Sequence, residues 1–504
     1  MTALGSAQAF RAAYEAGKGA LVWRESPADL ETPVGAFLKI AHGKPYSFLL
    51  ESVEGGASRG RYSVIGMEPD LIWRCEKGQA ALNRRALTAA DAFIPEERPA
   101  LDSLRALLAE TRLDLPNGMP PMAGGLFGYL GYDMVRLMER LPEKNEDVLG
   151  LPEAILMRPT VFVIFDNVRD VMTFAAPAYP MPGLSAEQAQ MEAEARLDRV
   201  EHGLLQAVPL PAGPAGEVTL GEPQSNMTRD YFEDMVVKMK DYIAAGDAFQ
   251  VVPSQRLSLA FPLPPFALYR ALRRINPAPF LFFLDFGDFS VAGSSPEILV
   301  RLRDGLVTIR PLAGTRPRHP DPVEDARLEA ELLADPKELA EHLMLLDLGR
   351  NDVGRVSELG SVRVVESFVI ERFSHVMHIS SMVQGRIRPD LDALDALMAG
   401  FPAGTLSGAP KVRAMEIIEE LEPVRRGIYG GCIGYFAPDG TMDTCIGLRT
   451  AVIKDGVMHV QAGGGVVADS VPALEYEESR HKARALFRAA EEAVRFATLP
   501  KRAG

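Results

Sequence analysis

Two rhythms of apolar and polar residues organise this chain. Short apolar runs at 46–50, 71–75 and 160–165, set among turn-rich stretches, predict strands in the N-terminal part. From 185 to 205 the rhythm becomes helical and acidic, and the segment 208–216, Val-Pro-Leu-Pro-Ala-Gly-Pro-Ala-Gly, breaks it. A new helix is predicted from Thr228, a good N-cap. Tyr231, Met235, Val236, Met239, Tyr242 and Ile243 recur at helical spacing up to Gly246, which suits the left-handed position after a helix. Further runs at 249–252, 280–285, 289–292, 297–301, 307–310, 430–436 and 458–461 predict strands, with Asp-Gly turns at 304–305, 439–440 and 455–456. Long helices interrupt these strands and do not alternate with them, so the predicted class is α+β with largely antiparallel sheet. The expected organisation is an N-terminal region 1–207, a connection 208–227 and a C-terminal domain 228–504.

Two helices of the C-terminal part begin with acids. Asp335 as N-cap, Pro336 at N1 and Glu338 at N3 predict a capped helix with the apolar stripe Leu339, Leu343, Leu346 and with Glu341 off that stripe. In the last helix Glu475, Glu478 and Lys482 fall at one-face spacing, while Leu486, Ala489, Ala490, Ala493 and Ala497 form the buried stripe. Just before it run three glycines, 463–465, whose bare backbone lets N–H groups approach a ligand. Acids in a first helical turn are ordinary dipole partners. Taken with Glu341 they would also supply the sparse carboxylates that Mg²⁺ takes, with water and substrate completing its shell.

Composition narrows the class. A chain of 504 residues, 47% hydrophobic, can bury a large core, and a net charge of -14 without a Lys/Arg run argues against a nucleic-acid partner. The three cysteines, Cys75, Cys432 and Cys445, match neither a zinc set nor a disulfide framework. With no signal-type N-terminus and no apolar run of membrane-spanning length, the expectation is a soluble protein of the reducing cytoplasm, with no membrane partner. The nucleotide-binding pattern G-x-x-x-x-G-K-[ST] does not occur. Groups suited to carboxylates gather in the C-terminal half: Gly314-Thr315-Arg316, the loop Gly-Thr-Leu-Ser-Gly-Ala-Pro-Lys at 404–411, and Arg449. Each is equally at home in a turn or a surface ion pair. His342 and His378 lie in apolar surroundings that suit a hydrogen-bonded core histidine as well as a catalytic one. Glu297, after Ser294-Ser295-Pro296, stands where a general acid could reach a pocket or where a strand-edge charge would sit.

Together, Ser295-Pro296-Glu297, Pro-Leu-Ala-Gly-Thr-Arg-Pro-Arg at 311–318, Glu-His-Leu-Met-Leu-Leu-Asp at 341–347, Arg350-Asn351-Asp352, the 404–411 loop, Tyr429-Gly430-Gly431 and the glycine segment resemble the chorismate-utilising enzymes. Among these the chain is most similar to the anthranilate-forming large subunits. The resemblance implies a fold of large antiparallel β-sheets sandwiched between flanking helices. It also implies a reaction in which ammonia adds at C2 of chorismate as the C4 hydroxyl leaves, giving 2-amino-2-deoxyisochorismate, and the enolpyruvyl side chain is then lost as pyruvate. By the same resemblance Glu341 and Glu478 hold Mg²⁺, Glu297 protonates the departing hydroxyl and His378 serves the elimination. Tyr429, Arg449, Gly463, Gly464 and Gly465 would grip carboxylates, with Thr405, Gly314 and Thr315 lining the pocket.

Two positions choose among family members. Where aminodeoxychorismate synthases carry a nucleophilic lysine the chain has Ala313, and where isochorismate and salicylate synthases place a water-activating lysine it has Gln250. The nucleophile is therefore expected from outside, as ammonia from a separate glutamine amidotransferase subunit. An aminodeoxychorismate synthase component and a non-catalytic tryptophan-binding protein are the alternatives. Leu49-Leu50-Glu51-Ser52 and Asn276-Pro277-Ala278-Pro279-Phe280 match the family's L-tryptophan feedback pocket, with Ser52, Pro279, Phe280 and Leu281 as contacts, although Phe280-Leu281 stands where Tyr-Met is common. Two other departures are Gly464 in a usual Gly-Ala-Gly and Gly349 in a usual Asp-Leu-Ala-Arg. For Gly349 close packing or a helix end is expected.

Overall fold

The computed structural model describes residues 7–54, 58–209, 218–373 and 376–498, so most of the Pro/Gly break at 208–216 and the pair Ser374-His375 lie outside the described residues. Two long antiparallel strands, Ser58–Glu76 and Ala154–Asp166, belong to two sheets at once. At one end they continue through Ser47–Glu54, Phe280–Asp285, Phe289–Ser295, Thr450–Lys454, Val457–Gly463 and Ser254–Ala260, each antiparallel to the last. At the other end the ladder runs through Leu126–Leu130, Cys432–Phe436, Met442–Ile446, Ile298–Arg303, Leu306–Ile309 and Val376–Arg386. The register slips between Pro69 and Leu71, where Pro69 faces Pro159. Neither proline has an N–H to give to the ladder, and the slip falls directly after them.

Strand alternation divides the apolar residues between three layers. Phe48, Ile72, Phe127, Phe162, Phe282, Val291 and Ile433 fill the space between the sheets. Leu49, Ile65, Leu257 and Ala451 face outwards under the helices Pro33–Ile40, Ala186–Leu204, Pro265–Ile275 and Pro472–Thr498. Val300, Val307 and Val383 meet the helices Pro336–Val356 and Ala393–Gly400 on the opposite side. The expected sandwich between flanking helices is what forms. Strands from either side of 208–227 pair directly, Phe280–Asp285 with Ser47–Glu54 and Cys432–Phe436 with Leu126–Leu130.

Local signals were realised in most places. Thr228 Oγ1 accepts from Tyr231 N at 3.2 Å and the helix Arg229–Ala244 gives way at Gly246, φ +85°. At 304–305 and 455–456 both residues take positive φ, as a tight hairpin requires, whereas at 439–440 only Gly440 does and the loop is wider. The helix Pro336–Val356 corrects the expected stripe: its buried side is His342, Leu345, Leu346, Gly349, Asp352 and Val353, while Leu343 is 50% exposed. The leucine spacing was compatible with two phases of the helix. Packing against the sheet chose the phase that brings Glu341 to the margin of the buried face.

Candidate active site

Glu297 sits at the junction of the strands Phe289–Ser295 and Ile298–Arg303, only 6% exposed. Its Oε1 accepts from Thr405 Oγ1 at 3.1 Å and from Leu312 N at 3.4 Å. These two donors do not offset the loss of water: burial pushes the carboxyl up to about 8, against smaller lowering from Thr405, Leu312 N and the charge of Arg449. Glu297 is thus held as a neutral acid at neutral pH. Thr405 is delivered by the single-turn helix Gly404–Ser407, and Gly404 packs so closely on the Pro336–Val356 helix that a Cβ there would lie 2.1 Å from Leu348 Cδ2. Arg449, in left-handed backbone at φ +49°, is partly buried, which lowers its affinity for a proton, and Glu297 partly restores it. Its guanidinium has no hydrogen-bond partner among the described residues and stands free for an anion.

His378 lies across the ladder from Thr315. The strand bulges between Ala313 and Thr315, with Gly314 at φ +67°, and this turns the Gly314 carbonyl onto His378 Nδ1 at 2.9 Å, with Thr315 Oγ1 at 3.0 Å. A carbonyl can only accept, so Nδ1 carries the proton and Nε2 keeps its lone pair. Nε2 is buried without a partner among the described residues. Burial, aided by the charge of Arg449, pushes the imidazole down to about 4, so it is neutral and poised as an acceptor. His342, by contrast, is a core residue: its Nε2 meets Ser381 Oγ at 2.7 Å and its ring packs edge-on against Phe368.

A charged rim lies at the glycine segment. A Cβ on Gly464 would lie 3.0 Å from Glu475 Oε2 and 3.1 Å from Glu478 Oε1, and one on Gly465 would strike Gln250 Nε2 at 2.4 Å. Gly463 is bare for a different reason, because the backbone of Pro253 passes 1.9 Å from where its Cβ would be. Gln250 in turn donates to Glu341 Oε1 at 2.9 Å. Burial raises Glu341 and Glu475 above the ordinary carboxylate range, and the charge of Glu478 raises both further. Lys482, whose place in the site the sequence reading passed over, bonds Gly463 O at 3.0 Å and pairs with Glu478 Oε1 at 2.8 Å. Among the described residues no three metal-ligating side chains converge as a cage. Several carboxylates answered by one lysine still fit a divalent ion that keeps most of its shell as water and substrate. Geometry does not prefer Glu478 over Glu475 as the second ligand.

Other candidates are placed less equally. Tyr429 is buried, and the Arg426 guanidinium lies 5.5 Å from its ring while pairing with Glu422. Ala313 and Gln250 are buried, and neither can supply a nucleophile. Arg316 is not free for substrate, being paired with Glu331, Asp335 and Glu338. Gly349 needs neither tight packing nor a helix end: its nearest neighbour to an added Cβ is Ile309 Cγ2 at 3.6 Å, and the helix continues to Val356. Nothing in the structure explains this glycine. Ser52 faces Phe280 across one ladder, on the inner face, whereas Leu281 points to the outer core and offers only backbone to a shared ligand. Pro279 precedes that strand.

The fold and this site define a chorismate binding enzyme: the model of that family matches residues 50–488, and the chain belongs to the family. It is 56% identical over 499 residues, 99% of both chains, to anthranilate synthase component 1 of Cereibacter sphaeroides. It is 48% identical to anthranilate synthase component 1 of Thermus thermophilus, covering 92% of this chain and 96% of that one. The crystal structure of anthranilate synthase component I from Streptococcus pneumoniae superposes with a TM-score of 0.74 at 36% identity, covering 92% and 98% of the two chains.

Proposed function

We propose that this chain converts chorismate and ammonia to anthranilate and pyruvate through 2-amino-2-deoxyisochorismate, as the large component of an anthranilate synthase. The observation that carries this reading is the pairing of a neutral buried acid, Glu297, with a pocket whose amine-bearing positions are blank: Ala313 is a methyl group and the Gln250 amide is spent on Glu341. The amine of Lys482 is engaged by Glu478 Oε1 at 2.8 Å and by the Gly463 carbonyl at 3.0 Å. The full-length similarity to component 1 enzymes supports the same reaction.

In this mechanism Glu297 gives its proton to the C4 hydroxyl, which departs as water while ammonia bonds to C2. His378 Nε2, with Nδ1 fixed by Gly314 O, accepts the C2 proton as the enolpyruvyl group leaves as pyruvate. Arg449 and Tyr429 hold carboxylates, and the backbone at 463–465 closes the pocket around the ring carboxylate. Glu341 and Glu478, with Glu475 beside them, would hold Mg²⁺, which when bound neutralises a substrate carboxylate and developing negative charge. Ammonia would come from a glutamine amidotransferase subunit, L-tryptophan would bind at Ser52, Pro279, Phe280 and the backbone of Leu281 as inhibitor, and the reaction would run in the cytoplasm. No described helix is long and apolar enough to cross a membrane. Incubation with chorismate, Mg²⁺ and ammonium salt, with and without tryptophan, tests the reading: anthranilate fluorescence is expected, and accumulation of 4-amino-4-deoxychorismate or unconsumed chorismate overturns it.

A further inference from the structure

One face of the helix Pro336–Val356 carries Glu341, Leu345, Leu348 and Asp352 at spacings of four, three and four residues, so the four side chains form one stripe. The segment 404–411 lies along that stripe. Gly404 abuts Leu348, and seven residues on, Lys411 Nζ meets Asp352 Oδ2 at 2.8 Å, with side chains 11% and 6% exposed. Between these two anchors the segment presents Thr405 to Glu297, and Gly408-Ala409 ladders with Gln250-Val251, placing Gln250 against Glu341. Ala409 N-terminal to Pro410 and the Phe249 N to Ala409 O bond at 2.7 Å leave Lys411 as the next point at which the segment is fastened to the helix. Asp352 itself does not touch Glu297: a small cavity lined by Glu297, Pro311, Gly349, Asp352 and Thr405 separates them. A buried ion pair is weak evidence for stability, because both charges give up water, and its best-attested use is to fix register. Here it joins the segment 404–411 to the helix that bears Glu341.

We propose that Asp352 and Lys411 are positioning residues, a buried latch to the helix Pro336–Val356 that helps seat Thr405 on Glu297 and Gln250 on Glu341, so that the acid pocket and the charged rim share one anchor on that helix. The proposal rests on the reading of Glu297 as the acid of the chorismate reaction. It differs from a purely structural pair in what it moves. Unlatching withdraws the Thr405 donor, which stabilises the Glu297 carboxylate, so the acid should hold its proton to higher pH while turnover slows.

The test uses the full chain with chorismate, Mg²⁺ and ammonium salt, measuring kcat, KM and the pH profile for the parent, Asp352→Asn, Lys411→Arg and the double variant Asp352→Asn/Lys411→Gln. The expected result for Asp352→Asn is a kcat reduced about 10- to 100-fold, as displacement of a catalytic group by about 1 Å produces, with a nearly unchanged KM and an alkaline limb moved upwards. The double variant, which restores a neutral hydrogen-bonded latch, should recover most of the turnover and return the limb. If Asp352→Asn does not fold, Lys411→Arg, which keeps the charge and alters the reach, should show the same split between kcat and KM. Folded single variants with parental kcat and parental pH profile would overturn the latch. Failure of the parent to form anthranilate would instead overturn the reaction assignment, so the two failures are separable.

Discussion

Glu297 and Glu478 are the same residue type in opposite surroundings. Glu297 lies at the pocket floor with two weak donors and no cation within ion-pair reach among the described residues, and burial raises its carboxyl to about 8. Glu478 stands half-exposed at the rim, paired with Lys482 at 2.8 Å on the first turns of a long helix. The floor shields a proton to give away, and the rim sets its carboxyl beside a lysine and open to water. What separates the two roles is access to water and countercharge, so the comparison can be broken from either side.

The largest effect should come from the floor. Glu297→Gln keeps the shape and removes the transferable proton, and kcat should fall by about 10²- to 10⁴-fold with an unchanged thermal transition, measured by anthranilate fluorescence and calorimetry. At the rim, Glu341→Gln or Glu478→Gln should raise the Mg²⁺ concentration needed for half-maximal activity by about 10-fold or more, and calorimetric titration of Mg²⁺ into the variant should show the same weakening. A smaller effect separates the two titrations. Above the Glu297 value of about 8 the acid is spent, so kcat should decline as pH rises through it. His378, at about 4, should already be neutral throughout the range from pH 6 to 8 and add no limb there. The smallest change lies between floor and rim: Gly349→Ala, whose new methyl meets nothing closer than 3.6 Å, should stabilise the protein by about 1 kcal/mol in denaturant unfolding.

The sequence made the elements legible and left their joins hidden. The strand 280–285 was read to the residue, because an apolar run bounded by Pro279 and a Phe-Gly turn leaves little choice. The neutrality of Glu297 could be expected from its required task, but its donors could not, since Leu312 N and Thr405 arrive from segments far along the chain. Leu343 was misplaced because leucines at 339, 343 and 346 satisfy helical spacing in either phase, and only the sheet beneath decides. Arg316 looked like a substrate fork until three carboxylates from neighbouring helices took it up. Lys482 was visible as a face partner of Glu478, yet its reach to the Gly463 carbonyl belongs to tertiary structure. Pro69 and Pro159 come from distant parts of the chain, and their pairing beside a register shift belongs to tertiary structure as well.

The account stands most directly on the proton of Glu297. Infrared difference spectra between the parent and Glu297→Gln, recorded across pH, report that proton through the carboxylic C=O band of one side chain. A protonated band present at pH 6 and lost as pH passes about 8 is the predicted result. A carboxylate already formed at pH 6, with ionisation near the ordinary glutamate value, would contradict the account.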